Sequence, residues 1–303
     1  TVCFSKLNKS FSTSINVSAS PRLQAAFSCI TGNLMIFCII LAVILSIFSA
    51  SSAERSFTKR AISSFLICSN AVHENSKKKI KTISEKFDIK IHEQSWSDLP
   101  INQSLISKKN NIDRQGTFWK MCPPRMRLKS HEIICDNDIV LVNPIDSIFE
   151  FLEKNVILMM KEDAFCVGKY FSLFKEKENY NSGLYGFPPN YNFEENLKTT
   201  WLENGKYNGL LWRDEQGLVT STLKKHDHIT IESDEIIHLF DNGRCSGYEF
   251  KIIEEEKIKT RVMENMKFNE FNFSKTDKGY HFLGVNRSRH RKWIEYKRYG
   301  VYL

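Results

Sequence analysis

Two aspartates, Asp136 and Asp138, sit inside the run HEIICDNDIVL at residues 131–141. The residues before them, ending in Ile133-Ile134-Cys135, predict a buried strand that delivers both acids at its carboxyl end. That is where open α/β sheets place their ligands. In extended backbone, residues two apart point the same way, so both carboxylates can converge on one hard cation. A cation held there would bridge phosphate oxygens and act as a Lewis acid toward a departing diphosphate. Two acids at this spacing are also common on solvated loops, and the apolar strand in front of them is what favours a metal site.

Three stretches make the reading more specific. The segment WKMCPPRMRLKSHEIICDNDIVL (residues 119–141) resembles the strand that carries the DxD motif of GT-A-fold glycosyltransferases, here Asp136-Asn137-Asp138. Those families place a helix with basic residues just before that strand. Tyr180-Asn181-Ser182-Gly183-Leu184 resembles the NSG segment that often follows in the same fold. GYHFLGVNRSRHRKW (residues 279–293) resembles the HxxGxxKPW motif of glycogenin-like and galactinol-synthase-like retaining transferases. The order of the motifs agrees with such a chain.

The resemblance implies a metal-dependent transfer of sugar from a nucleotide-sugar donor, a UDP-sugar by expectation, to a glycan, lipid or protein acceptor. It implies that Asp136 contacts the donor ribose and the metal, that Asp138 is the main metal ligand, and that His281 coordinates beside the diphosphate. Two carboxylates and one imidazole suit Mn²⁺, with Mg²⁺ as the other expectation. Gly284 would let backbone approach the phosphates. Arg287 stands where the motif has a lysine, and Ser288-Arg289 replaces its Pro-Trp. A guanidinium still forks two donors onto phosphate, so Arg287 keeps a diphosphate role. Lys120, Arg125 and Arg127 would face the nucleotide, and Asn181 would contact the donor.

The catalytic step has a weaker signal. Trp212-Arg213-Asp214-Glu215-Gln216 is a dense polar cluster, and in the resembled enzymes a carboxylate near this point touches donor or acceptor sugar. Asp214 or Glu215 would then serve as an inverting base or would steady an oxocarbenium-like state. Ordinary acidic residues at a helix N-terminus are the plainer alternative. The retaining outcome is favoured by the C-terminal motif, with the leaving phosphate taking the acceptor proton.

Each supporting residue has an ordinary reading too. His281 between Tyr280 and Phe282 reads, apart from the motif, as a half-buried, satisfied histidine. Arg287, Arg289, His290, Arg291 and Lys292 form a run that is usually a solvated basic surface. Asn181-Ser182-Gly183 reads as a turn by residue type.

The elements that must hold these groups follow from periodicity. Ala61–Cys68 reads as a buried strand, and 76–87 as a Lys-rich helix with Ile80, Ile83 and Phe87 on one face. Ile89–His92 is a second short strand. Residues 118–128 read as a helical segment broken at Pro123-Pro124. After the strand His131–Cys135, Ile139–Val142 continues extended. Ile145–Lys154 is a helix with Pro144 near its first turn. Val156–Met160 and Ala164–Val167 are further strands. Alternation of strand and helix predicts a GT-A-type, Rossmann-like α/β domain whose sheet is mostly parallel and flanked by helices. The partition expected is a Ser-rich targeting or disordered leader over 1–32, a hydrophobic segment over 33–53, and one transferase domain over 56–303.

The run LMIFCIILAVILSIFSA, from Leu34 to Ala50, is about 17 residues without a charge, at the short end for crossing a bilayer. It reads as a signal anchor or as a cleaved signal peptide ending in Ser51-Ser52-Ala53. The location expected is therefore membrane-anchored, of the Golgi type in a eukaryote, or secretory, with a bacterial enzyme on the cytoplasmic face as the alternative. Net charge is +8 over 303 residues, which favours anionic partners such as diphosphates. The 8 cysteines form no CxxC pair, which argues against a zinc ribbon or dithiol redox site. P-loop and GxGxxG fingerprints are absent, and basic residues do not interleave with aromatics as in nucleic-acid binders. A membrane-tethered, catalytically inactive GT-A domain that only binds and a nucleic-acid-binding or nucleotidyl-transfer protein remain as competing readings, while the leading reading expects no nucleic-acid partner.

Overall fold

The computed structural model describes residues 127–136, 138–162, 167–175, 178–204, 214–240, 243–255 and 258–283. It also describes shorter pieces at 2–4, 36–37, 64–68, 78, 81–82, 85, 90–94, 123 and 125. Most of the N-terminal leader and of the apolar run lies outside these residues, as do Lys120, Asn137, Gly284 and Arg287. Among the described residues, no helix is long and apolar enough to cross a membrane.

The described strands are β1 (Val2–Phe4), β2 (Ile36–Phe37), β3 (Ser64–Cys68), β4 (Lys90–Gln94), β5 (His131–Cys135), β6 (Ile139–Leu141) and β7 (Ile157–Lys161). They continue with β8 (Tyr180–Phe187), β9 (His228–Ile231), β10 (Ile236–Phe240), β11 (Gly243–Glu255), β12 (Ile258–Asn269) and β13 (Gly279–Phe282). The α-helices with described bounds are α1 (Asp146–Glu153), α2 (Phe193–Asn204) and α3 (Asp214–Leu223).

The class is mixed α/β, and the described strands form two five-stranded sheets and a three-stranded one. Sheet one runs β1-β5-β8-β7-β9, sheet two runs β12-β11-β10-β13-β6, and the small sheet runs β2-β3-β4. The expectation of a mostly parallel sheet is corrected here. Only β3–β4, β7–β9 and β10–β13 pair in parallel among the described strands, and the other pairings are antiparallel. The physical reason is that β5 is buried along its whole length, so its apolar run looks like a parallel strand covered on both faces. Burial on two faces does not encode the direction of the neighbour.

Sheet one packs its first face on α2 and α3. Ile134, Met159, Tyr185 and Phe187 meet Phe193, Leu197, Leu218, Val219 and Leu223 in one cluster. Asn192 caps α2 by accepting the Glu195 backbone N–H at 3.2 Å, while the Glu195 carboxylate accepts from the Asn192 amide. On the other face, Gly186 lies under the ring of Phe151 from α1, close enough that a Cβ there would meet Phe151 Cζ at 2.8 Å. Helix α1 buries Ile148, Phe151 and Leu152, the i, i+3, i+4 stripe of an amphipathic helix. Sheet two has its own core, in which Ile237 and Leu239 of β10 pack with Tyr280 and Phe282 of β13 and with Phe273.

Lys78, Lys81, Thr82 and Glu85 are helical and exposed, as a helix over 76–87 with its apolar face elsewhere requires. The helical segment expected over 118–128 differs: Pro123, Arg125 and Arg127 have no regular structure and Leu128 lies in a turn. Two successive prolines lack the N–H groups that a helix needs after its first turn. For the strand expected at 164–167, Val167 has no regular structure and the other positions lie outside the described residues.

Candidate metal centre

The chain passes from sheet one to sheet two within three residues. Strand β5 ends at Cys135, β6 begins at Ile139, and the aspartates occupy the passage between them. Backbone hydrogen bonds pin both. The Asp136 N–H donates to the Gly183 carbonyl of β8 at 2.6 Å, and the Phe282 N–H of β13 donates to the Asp138 carbonyl at 2.9 Å. Each aspartate is thus tied to a different sheet, and both are half-buried.

His281 arrives from β13, whose register sets it beside Ile139 of β6. Period-two alternation sends Tyr280 and Phe282 into the core of sheet two and His281 to the opposite face, toward the aspartates. Its Nε2 lies 3.4 Å from Asp138 Oδ1. Ligand atoms of Asp136, Asp138 and His281 all fall within 4.8 Å of one another. Two atoms each about 2.1 Å from an octahedral ion are about 3 Å apart when cis and about 4.2 Å apart when trans, so one divalent ion fits this spread after small side-chain movements.

Two further observations test the fit. Gly183 of β8 forms the floor: a Cβ there would lie 2.7 Å from His281 Cε1 and 2.7 Å from Asn181 Oδ1. Only a hydrogen at that position leaves the imidazole room to stand over the strand. The donor set is also suitable, since two carboxylates and an imidazole match Mn²⁺ chemistry, while nothing in it singles out Mn²⁺ over other borderline divalent ions. Asn181, two residues earlier on the same face of β8, is buried and accepts the Gly183 N–H with its side-chain oxygen. The segment read as a turn is therefore an interior strand, and Asn181 borders the cluster.

Other candidates are placed elsewhere. Arg125 was expected to face a nucleotide, but its guanidinium pairs with the fully buried Glu132 and donates to the carbonyls of Tyr191, Ser130 and Pro188. Glu132 also accepts the Arg127 backbone N–H. These contacts gather at the start of β5, the end remote from Asp136, and give Arg125 a folding role. Arg127 lies at that same end, just before the turn into β5. Lys120, Gly284 and Arg287 lie outside the described residues.

Asp214 and Glu215 open helix α3 and are both buried. Asp214 Oδ1 accepts the Lys169 backbone N–H at 3.1 Å, and Asp214 Oδ2 lies 3.6 Å from Lys169 Nζ. Both charged groups of this pair are almost wholly out of water. Burial lowers the Lys169 pKa, with Asp214 opposing that shift. The neighbouring Gln216 donates to Glu162 at 2.8 Å. The acidic cluster thus anchors α3 to the segment that follows β7.

Sequence reasoning passed over His238. It lies on β10 directly opposite His281 in the parallel pairing, fully buried. The residue sits in an apolar run, IIHLF, where a histidine carries no spacing signal. Its signal is the register with β13, which no local pattern reveals.

No protein-family profile and no curated protein matches the chain.

Proposed function

We propose that the chain is a metal-dependent glycosyltransferase, in which Asp136, Asp138 and His281 hold a divalent ion that receives the diphosphate of a nucleotide-sugar donor. The observation that carries this reading is the convergence of three side chains able to ligate a metal, two from the β5–β6 passage and one from β13, at the junction of two sheets. The C-terminal-edge position of the acids and the resemblance of residues 119–141, 180–184 and 279–293 to GT-A motifs support it. A bound ion would supply Lewis acidity toward the leaving diphosphate.

The protein's own residues then have defined tasks. Asp136 and Asp138 present oxygens from a backbone held on both sides, so their placement needs little reorganisation. His281 offers Nε2 from a rigid strand. Gly183 keeps the floor low, and Asn181 fixes the local path of β8. In this reading the retaining course is preferred, with the leaving phosphate accepting the acceptor proton, because Asp214 is engaged by Lys169. The net charge of +8 favours approach of an anionic donor.

The test is hydrolysis of UDP-sugars by the full chain, with and without Mn²⁺. Metal-dependent release of sugar is expected, and Asp138→Ala should reduce it by more than about a hundredfold, since loss of even a supporting residue reaches that range. Circular dichroism and melting temperature of the variant show that folding is intact. Metal binding without turnover of any UDP-, GDP- or CMP-sugar would turn the reading to a binding module.

A further inference from the structure

The mutual placement of β10 and β13 puts two imidazoles side by side on the face that looks toward the aspartates. His238 and His281 are register partners, and their ring centroids are 5.1 Å apart at an interplanar angle of 59°. His238 is 0% exposed and His281 2% exposed. Among the described residues, neither ring nitrogen of His238 has a hydrogen-bond partner, and neither does Nδ1 of His281. Buried polar atoms without partners are rare and each is costly, so three of them on two touching rings need an explanation.

Their chemistry is complementary. A histidine that ligates through Nε2 carries its proton on Nδ1 and needs an acceptor for it, and that outer partner fixes tautomer and ring orientation. A neutral imidazole has one nitrogen lone pair to offer. The torsion about the Cβ–Cγ bond of histidine is broad, and rings with centroids 5.1 Å apart are near enough for a nitrogen of one to reach a nitrogen of the other.

We propose that His238 is a positioning residue for the metal centre: it accepts the Nδ1–H of His281 and so presents the Nε2 lone pair toward Asp138. The proposal rests on the metal reading above for its purpose, but the hydrogen bond it calls for does not require the metal. That separation shapes the experiment. In the metal-free full chain, labelled with ¹⁵N-histidine, His281 should appear as the Nδ1–H tautomer, and His238→Leu should shift it to a mixture or to the other tautomer. Mn²⁺ affinity, followed by electron paramagnetic resonance, should fall by about tenfold or more in His238→Leu. His238→Asn, whose side-chain oxygen can accept the same proton, should recover most of the loss. Leucine keeps the packing volume, and its metal-free melting temperature should not fall, which separates positioning from stability.

An Nε2–H tautomer for His281 in the parent protein would overturn the proposal, as would equal Mn²⁺ affinity of parent and His238→Leu. If the parent shows the Nδ1–H tautomer and its dependence on His238 but binds no Mn²⁺, the contact stands and the metal reading falls.

Discussion

At the scale of single residues, Gly183 is the most exacting position in the centre. A methyl group there would press on His281 Cε1 and Asn181 Oδ1, both at 2.7 Å, well inside ordinary contact. Neither neighbour moves freely, since the Asn181 oxygen already accepts the Gly183 N–H and the His281 ring stands between two sheets. Gly183→Ala is therefore expected to tilt His281 away from Asp138 and to weaken Mn²⁺ binding by about tenfold or more, the range for disturbed support of a ligand. The overpacking should also cost about 1–3 kcal/mol in a denaturation curve. A variant that binds Mn²⁺ as tightly as the parent would show that the floor of the site lies elsewhere. The two acids and the imidazole were legible as residue types and motif positions. Gly183 was visible as part of an NSG segment but not as a strand residue, because Asn, Ser and Gly together favour turns until tertiary pairing on both sides overrides them. His238 was not legible, since its meaning depends on a register partner more than forty residues away.

At the scale of elements, the pair Lys169–Asp214 joins the 3-10 turn Lys169–Leu173 to the first turn of α3. Removing one buried partner leaves the other charge in a site built for two, which typically costs about 3–5 kcal/mol. Lys169→Met should therefore destabilise by that order, while the double change Lys169→Met with Asp214→Leu should be less harmful than the sum of the two single changes. Acidity gives an independent check. Burial lowers the Lys169 pKa below its ordinary 10.5, so in the window just below 10.5 the unfolded chain binds more protons than the folded one. Stability must then rise with pH across that window through this residue, and the rise should be missing in Lys169→Met when urea curves are compared at pH 8 to 10.5. The sequence placed the early elements well: β5, β6, α1 and β7 fall where apolar runs and Pro144 put them. It misjudged strand direction, because an apolar run covered on both faces reads the same whether its neighbour runs with it or against it. The acids Asp214 and Glu215 illustrate the same limit, as only the folded chain shows that Lys169 claims the first of them.

At the scale of the whole molecule, the centre is a seam. Asp136 is bound to β8 of sheet one, Asp138 to β13 of sheet two, and His281 rises from β13 itself. An ion held by all three would add a link between the sheets beside the three-residue passage from β5 to β6. Binding to the folded state stabilises it by mass action, about 2.7 kcal/mol at a hundred times the dissociation constant. The distribution of that stabilisation is the sharper question. If the seam is the site, Mn²⁺ should slow hydrogen exchange at the Asp136 and Phe282 amides, one in each sheet, because both hydrogen bonds flank the ligands. The amides of the long β11–β12 hairpin pair only with each other over most of their length and carry no ligand, so their local opening should change little. Protection confined to one sheet would mean that the ion is held from one side only. Protection spread evenly over the hairpin as well would mean that Mn²⁺ acts on global unfolding without a local link. The two-sheet pattern, lost on Asp138→Ala and reversed by a chelator, is what an ion bridging this junction must produce.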